Sequence, residues 1–197
     1  MLTRKKKRKF FVETLGSPIL KACSAPITEV DDELCSLAGW MVDVMHKFNG
    51  IGLAAPQIGR NIKLVVLDVS EDAANKETSP GELALLPQMP LAIINPEIVE
   101  YSAEMSRHEE GCLSVPGVYA EVERPKKIRF KATLLNGDTI EYWCDNMLAR
   151  CIQHELDHLQ GIMFVDKLDK AQAAKVEVKV KNLRREGGRN NYRKVLD

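Results

Sequence analysis

The sequence predicts an α+β fold in which mixed and antiparallel sheets pack around one central helix that carries an H-E-x-x-H motif. Three observations support this fold class. An amphipathic helix is predicted for residues 145–161, and a β-hairpin at residues 128–144 leads directly into it. Short apolar runs suited to buried strands alternate with turns earlier in the chain. We expect one domain over residues 1–197, with a basic N-terminal extension of about residues 1–12 and a disordered C-terminal tail of about residues 186–197.

The central helix has recognisable start and stop signals. Asp145 or Asn146 can cap its N-terminus, and Gly161 can end it. Apolar side chains recur at helical spacing along one face of the segment. They are Leu148, Ile152, Leu156 and Leu159. This pattern predicts a helix with one face packed against a hydrophobic core.

The motif itself consists of His154, Glu155 and His158. Two histidines four residues apart lie one turn above the other on a helix, so both imidazoles can bind one metal ion. Glu155 is placed where its carboxylate can reach a water on that metal. The alternative is an amphipathic helix whose histidines are merely polar or packed, since H-E-x-x-H also arises by chance.

An open catalytic site needs a third protein ligand. A further histidine after Gly161 is excluded, because Phe164 occupies the position that would carry it. Eighteen residues separate His158 from Glu177, the spacing of one family of zinc peptidases, although the β-branched alternation at residues 176–180 favours a strand there. Cys112 is the upstream candidate. From the residues alone, Glu177 and Cys112 both stay open.

Three ordered motifs resemble those of the peptide deformylase family. They are G-I-G-L-A-A-P-Q at residues 50–57, E-G-C-L-S at residues 110–114 and H-E-L-D-H at residues 154–158. The resemblance extends from about Gly16 to about Leu168. A single H-E-x-x-H is weak evidence, but three motifs in the family's order are specific. The resemblance implies removal of the N-formyl group from nascent N-formylmethionyl polypeptides.

The resemblance also implies roles for particular residues. Cys112, His154 and His158 would bind the metal, Fe²⁺ natively with Zn²⁺ or Ni²⁺ as substitutes. Glu155 would be the general acid and base toward a metal-bound water. The Gln57 amide and the Leu113 backbone N–H would stabilise the oxyanion. The expected substrate-binding residues are Ile51, Gly52, Glu110, Gly111 and Cys151.

The remaining elements are predicted from local patterns. A long amphipathic helix is expected at residues 31–48, buried strands at 64–67 and 91–94, and a surface excursion at 70–90. The loop at residues 50–59 lacks the Lys-Ser/Thr pair of a phosphate loop. After Leu168 the chain can start a helix, whereas residues 176–180 favour a strand, and both readings stay open.

Composition limits the partners and the compartment. The 197 residues carry no formal net charge, which argues against a dedicated DNA-binding protein, and no apolar run approaches the roughly 20 residues of a membrane span. Five irregularly spaced cysteines fit a reducing compartment, so we expect a bacterial-type cytoplasm, with an organelle as the alternative. The basic run at residues 4–9 is either a solvated terminus or a ribosome contact.

Two other functions use the same residues. A closed structural zinc site would add Cys144 or Cys151 as the fourth ligand, and a cysteine hydrolase would pair Cys112 with His154. Neither has a use for both Glu155 and Gln57. The enzymatic alternative is therefore the zinc peptidase that uses Glu177.

Overall fold

The computed structural model describes residues 10–70, 78–187 and 193–196. The α-helices in these ranges are α1 (Asp32–Lys47), α2 (Pro80–Leu85), α3 (Asn146–Leu159) and α4 (Lys170–Gly187). The strands are β1 (Phe10–Glu13), β2 (Gly52–Ala54), β3 (Leu64–Leu67), β4 (Leu91–Tyr101), β5 (Met105–Cys112), β6 (Val115–Pro125), β7 (Ile128–Leu134), β8 (Thr139–Cys144) and β9 (Arg193–Leu196). In these ranges, no helix combines the length and hydropathy that crossing a bilayer requires.

The strands form one large sheet and two small ones. The large sheet has the order β2-β3-β4-β7-β8, while β5 pairs with β6 and β1 pairs with β9. Neighbouring strands run antiparallel in all three sheets. Together with the helices, this architecture confirms the predicted α+β class. The predicted hairpin is formed by β7 and β8, with Gly137 in its turn at φ 88°.

The large sheet is covered on both faces. Helix α3 packs on one face, where the apolar stripe predicted for it joins the strands in a hydrophobic core. Helix α1 packs on the other face, and its own predicted stripe is buried there. Sheet strands covered on both faces are continuously apolar, as in L-V-V-L of β3, which is buried at every position.

The β5–β6 hairpin lies outside this sandwich and packs against α4. The inward-facing side chains of β6 contact buried residues of α4 and of the segments flanking the core. The apolar members of this third cluster include Val118, Ala120, Val122, Phe164, Val176 and Val180. The hairpin was not predicted from the sequence as a unit, although its second strand alternates between buried and exposed residues from Val118 to Arg124.

The strand alternative for residues 176–180 is wrong. The segment is part of α4, in which Val176 and Val180 are each 8% exposed while Val178 between them is 72% exposed. Residues four apart share one face of a helix, so Val176 and Val180 can both pack against the β5–β6 hairpin. Tertiary packing therefore overrides the β propensity of these side chains.

The predicted disorder of the C-terminal tail is wrong for the part that is described. Helix α4 continues to Gly187, and Arg193–Leu196 forms β9, which pairs with β1 in a register that sets Phe11 opposite Val195. Residues 10–12 of the predicted N-terminal extension belong to β1. The rest of that extension and of the tail lies outside the described residues.

The predicted surface excursion at residues 70–90 contains a short helix. Ser79 and Glu82 form a capping box at the start of α2: the Ser79 hydroxyl accepts from the Glu82 backbone, and the Glu82 carboxylate accepts from the Ser79 backbone. Leu85 is buried against the core. Residues 71–77 of this excursion lie outside the described part of the chain.

Candidate metal centre and active site

Helix α3 positions three of the candidate residues. The Asp145 carboxylate accepts a hydrogen bond of 2.6 Å from the Asn146 backbone at the start of the helix, and Gly161, with φ 72°, follows its end. The apolar stripe faces the core, so His154, Glu155 and His158 lie on the remaining surface of the helix. All three are largely enclosed, with Glu155 and His158 fully buried.

Cys112 at the end of β5 completes a cluster with the two histidines. The Cys112 sulfur and one ring nitrogen from each of His154 and His158 all lie within 4.8 Å of one another. The Cys112 Sγ–His158 Nε2 distance is 3.2 Å. Donors bound to one tetrahedral ion at about 2.0–2.3 Å would be about 3.5 Å apart, so these residues fit a single metal ion.

The other proposed ligands are not in this cluster. Glu177 is exposed on α4, where its carboxylate pairs with Lys181 one turn away, so the peptidase alternative is wrong. Cys144 and Cys151 are buried outside the cluster. Among the described residues, the cluster holds three protein donors, so a tetrahedral ion bound by them would keep its fourth position for water or substrate.

A buried network of charged groups orients His154. Its Nδ1 lies 2.9 Å from Glu110 Oε2, which leaves Nε2 to face the cluster. Glu110 in turn accepts from Arg124 Nε and Nη2 at 2.6 and 2.9 Å and from Arg150 Nη1 at 2.6 Å. Arg124 also donates to Asp157 Oδ2 at 2.7 Å. The β5–β6 hairpin is thereby joined to the helix that carries the histidines.

The same contacts determine the charges of these groups. Burial opposes ionisation of Glu110, but hydrogen bonds from Arg124 and His154 hold its pKa well below the usual range. Burial also opposes protonation of His154, yet interactions with Cys112 and Glu110 raise its pKa to about 10. Burial and the neighbouring His154 lower the pKa of His158. The site around Cys112 is therefore one that attracts a cation, and a metal would compete there with the proton.

Glu155 lies under the glycine-rich segment. A Cβ added to Gly52 would stand 2.5 Å from Glu155 Oε1 and 2.8 Å from Cys151 Sγ, so only glycine fits at this position. Burial raises the pKa of Glu155 to about 7. Within the described ranges, Glu155 Oε2 and His158 Nδ1 are buried without a hydrogen-bond partner. An unpaired carboxylate oxygen beside a metal-type cluster is suited to bind a water there.

Gln57 is held with its amide nitrogen toward the cluster. Its Oε1 accepts from the Ala54 backbone at 2.8 Å, while its Nε2 donates to Ser114 Oγ at 3.2 Å and contacts Cys112 Sγ at 3.6 Å. Leu113 follows Cys112 directly, and its side chain packs against Gly50. Both residues that were predicted to stabilise an oxyanion thus lie beside the three donors.

A cleft with a volume of about 470 Å³ is lined by Gln57, Cys112, Leu113, His154 and Glu155. Its lining includes each residue that the sequence indicated for substrate binding. These are Ile51, Gly52, Glu110, Gly111 and Cys151. The lining also includes Phe48, Tyr119, Met147 and Lys194, which were not predicted as substrate-binding residues. Burial raises the pKa of Cys151, so its thiol is an apolar part of the wall.

The buried arginines were missed from the sequence. Arg124 is 2% exposed and Arg150 is 5% exposed. A signal was present for the first of them, because Arg124 continues the inward-facing register of Val118, Ala120 and Val122 along β6. An arginine in phase with buried apolar side chains requires a buried anionic partner. Sequence spacing does not identify that partner, which is Glu110 on the neighbouring strand.

Comparison with known proteins identifies a matching family. The sequence profile described as polypeptide deformylase matches residues 11–174. A peptide deformylase of Rhodopseudomonas palustris is 45% identical over 157 residues, covering 80% of this chain and 84% of the relative. One from Prochlorococcus marinus is 44% identical over 83% of this chain and 76% of the relative. The crystal structure of an Arabidopsis thaliana peptide deformylase bound to an inhibitor superimposes with a TM-score of 0.77 at 32% identity, over 91% of this chain and 92% of that one.

Proposed function

This chain belongs to the polypeptide deformylase family, and we propose that Cys112, His154 and His158 bind the metal on which its activity depends. Members of the family are metal-dependent hydrolases that remove the N-formyl group from nascent polypeptides, and this chain is such an enzyme. The observation that supports the ligand assignment is the convergence of three donor atoms within 4.8 Å of one another, next to the buried carboxylate of Glu155.

The donor set fits a catalytic metal rather than a structural one. A bound metal with one position open to water supplies a Lewis acid, which lowers the pKa of that water and polarises a carbonyl oxygen. In this proposal, Glu155 accepts a proton from the attacking water and returns it to the departing nitrogen. The C–N bond of the formamide breaks, and the products are formate and a free α-amine.

The residues around the cleft have separate tasks in this reaction. The Gln57 Nε2 and the backbone N–H of Leu113 donate to the oxygen on which negative charge develops. Because Gln57 is fixed through Ala54 and Ser114, its amide needs little reorganisation when that charge appears. Ile51, Gly52, Glu110, Gly111 and Cys151 contact the substrate. Among them, the apolar wall at Cys151 is suited to the methionine side chain.

We propose Fe²⁺ as the native metal. One thiolate and two imidazoles suit both iron and zinc by ligand softness, and Zn²⁺ or Ni²⁺ would substitute. The resemblance to deformylases favours iron. Fe²⁺ and the thiolate are both open to oxidation, whereas Zn²⁺ has no redox chemistry of its own. The Fe²⁺ form should therefore be the most active when kept anaerobic and the fastest to lose activity in air.

The ligand assignment is tested with paired variants of anaerobically purified protein. Cys112→Ala should lose most of the bound metal and all measurable turnover of a formyl-Met peptide, whereas Glu177→Ala should retain both. Metal content is measured by elemental analysis and turnover by release of formate. A Cys112→Ala protein with full metal content and activity would contradict the assignment.

The chain acts on nascent formylated polypeptides. We place it where such polypeptides are synthesised, in a bacterial-type cytoplasm, with an organelle as the alternative. The described cysteines are all free, which agrees with a reducing compartment. A ribosome contact through the basic run at residues 4–9, outside the described residues, is a proposal of the same kind.

A further inference from the structure

The C-terminal strand brings a lysine to the active-site cleft. Strand β9 pairs with β1 so that Lys194 lies opposite Val12. The side chain of Lys194 is part of the cleft lining, and its Nζ lies 5.4 Å from the centre of the Phe48 ring. Phe48 follows α1 and leads into the glycine-rich segment beneath which Glu155 lies. A residue from the last few positions of the chain therefore borders the substrate site.

The neighbouring residue anchors this strand. Arg193 donates from Nε to Glu13 Oε1 at 2.7 Å, and its guanidinium lies 4.4 Å from the centre of the Phe11 ring. Together with the β1–β9 pairing, these contacts hold the backbone of β9 against β1. The Lys194 side chain is thereby kept at the rim of the cleft, where the face of Phe48 provides a further attraction for the ammonium group.

Lys194 is available to an anionic ligand. Among the described residues, no carboxylate forms an ion pair with its Nζ, and the side chain is exposed. The other cationic groups that line the cleft are engaged below the surface, since Arg150 pairs with Glu110, as does His154. The exposed acid on the lining is Glu109 of β5. Among the described lining residues, the exposed charged groups are therefore one acid on β5 and one cation on β9.

We propose that Lys194 is a specificity-determining residue, which favours substrates that carry an acidic side chain shortly after the formylmethionine. The inference rests on the proposed function, because it needs the formyl group at the metal cluster and the following residues at the rim. An ammonium group at an exposed rim attracts a carboxylate weakly, and salt screens that attraction. It acts away from the reacting atoms, so it changes KM rather than kcat.

The test uses formyl-Met tetrapeptides with amidated C-termini, so that no terminal carboxylate competes for Lys194. Asp, Asn or Lys is placed at the second or the third residue, and kcat and KM are measured for the metal-loaded enzyme. The wild-type protein should favour Asp over Lys by about 2–5-fold in kcat/KM at low salt, through KM. The preference should shrink at 1 M salt, where the Debye length is about 3 Å.

Variants at position 194 separate charge from packing. Lys194→Met keeps the aliphatic stem and should remove the preference, whereas Lys194→Glu should reverse it. The control is Lys170→Glu, which makes the same change in net charge on the first residue of α4, away from the cleft lining. An unchanged preference in Lys194→Glu, or an equal shift in Lys170→Glu, would overturn the inference. Failure of every metal form to deformylate the Asn peptide would contradict the proposed function instead.

Discussion

The two faces of α3 are both buried, but different forces hold them. On the apolar face, Leu148, Ile152 and Leu156 pack into the core against the large sheet. On the polar face, His154 and Asp157 are bound by ionised partners that come from the β5–β6 hairpin. Burial alone therefore does not distinguish the structural surface of this helix from its functional one. The distinction lies in whether the contacts are directional.

The two faces also contribute differently to stability. Burying a leucine side chain stabilises the fold by about 1.5–3 kcal/mol. Substitution by another apolar residue of similar volume is usually tolerated. A buried ion pair contributes little net stability, because the loss of hydration offsets the attraction between the charges. The main effect of the Glu110–Arg124–Asp157 network is accordingly to orient the His154 ring. The polar face should be sensitive to any single change and the apolar face more tolerant.

Among changes on α3 and its partners in the β5–β6 hairpin's charged network, the largest effect is expected from Glu155, which adjoins the proposed ligands without being one of them. Both Glu155→Ala and Glu155→Gln should retain nearly stoichiometric metal but lose about 10²–10⁴-fold in turnover, because general acid–base catalysis is removed. The glutamine variant keeps the side-chain volume under Gly52, so equal losses in both variants would indicate proton transfer rather than packing. Normal turnover with either variant would exclude Glu155 as the proton carrier.

The next largest effect is expected from Arg124. Arg124→Met should leave the Glu110 and Asp157 carboxylates buried without their main partner and lower the free energy of unfolding by about 3–5 kcal/mol. The matched control is Arg107→Met on β5, whose guanidinium pairs with Glu123 across the same hairpin at 3.0 Å but is 54% exposed. Chemical denaturation of both variants measures the difference.

Comparable denaturation midpoints for these two variants would show that the buried ion pairs of Arg124 contribute no more to stability than the exposed ion pair of Arg107. A lowered midpoint in Arg124→Met alone would support the contrast between the faces. Its metal content is a second readout, because Glu110 would no longer be fixed against His154.

The same contrast explains what the sequence could predict. Helix α3 and the β7–β8 hairpin were predicted because their periodicity and turn signals are local. The charged network could not be assembled from spacing, since Glu110, Arg124 and Asp157 come from three separate elements. Strand β9 was missed for the same reason, because its partner β1 lies at the other end of the chain. Local alternation at residues 176–180 indicated a strand, although the sequence also contains the i, i+4 spacing of Val176 and Val180, which is typical of a helix face.

The proposed metal ligands were predicted from ordered motifs more than from geometry. His154 and His158 follow from helical spacing, but Cys112 could be preferred to Glu177 only through the resemblance to deformylases. The structure supplies the physical reason. Cys112 is the last residue of β5, and Glu110, two residues before it on the same strand, contacts His154. The β5–β6 hairpin therefore holds the Cys112 sulfur beside the histidines.

The smallest effect is expected on the apolar side, where the thiol of Cys144 is buried in the core. Burial, together with the Glu82 and Asp145 carboxylates, raises the pKa of Cys144 to about 12, against about 8.5 in an unfolded chain. Because the pKa is higher in the folded state, the contribution of this thiol to the free energy of unfolding is fully present below pH 8.5. The contribution is lost as the pH rises toward 12, because the unfolded chain gains the thiolate first. Between pH 8 and 10 the free energy of unfolding should fall by about 2 kcal/mol from this group.

Urea denaturation of the wild-type protein and of Cys144→Ala across this range isolates that slope, with Cys35→Ala, an exposed cysteine, as the control. The Cys144→Ala protein should start less stable because of the cavity and should lose less stability with pH. Parallel profiles for all three proteins would mean that Cys144 is not protected from ionisation, and that the apolar face admits solvent.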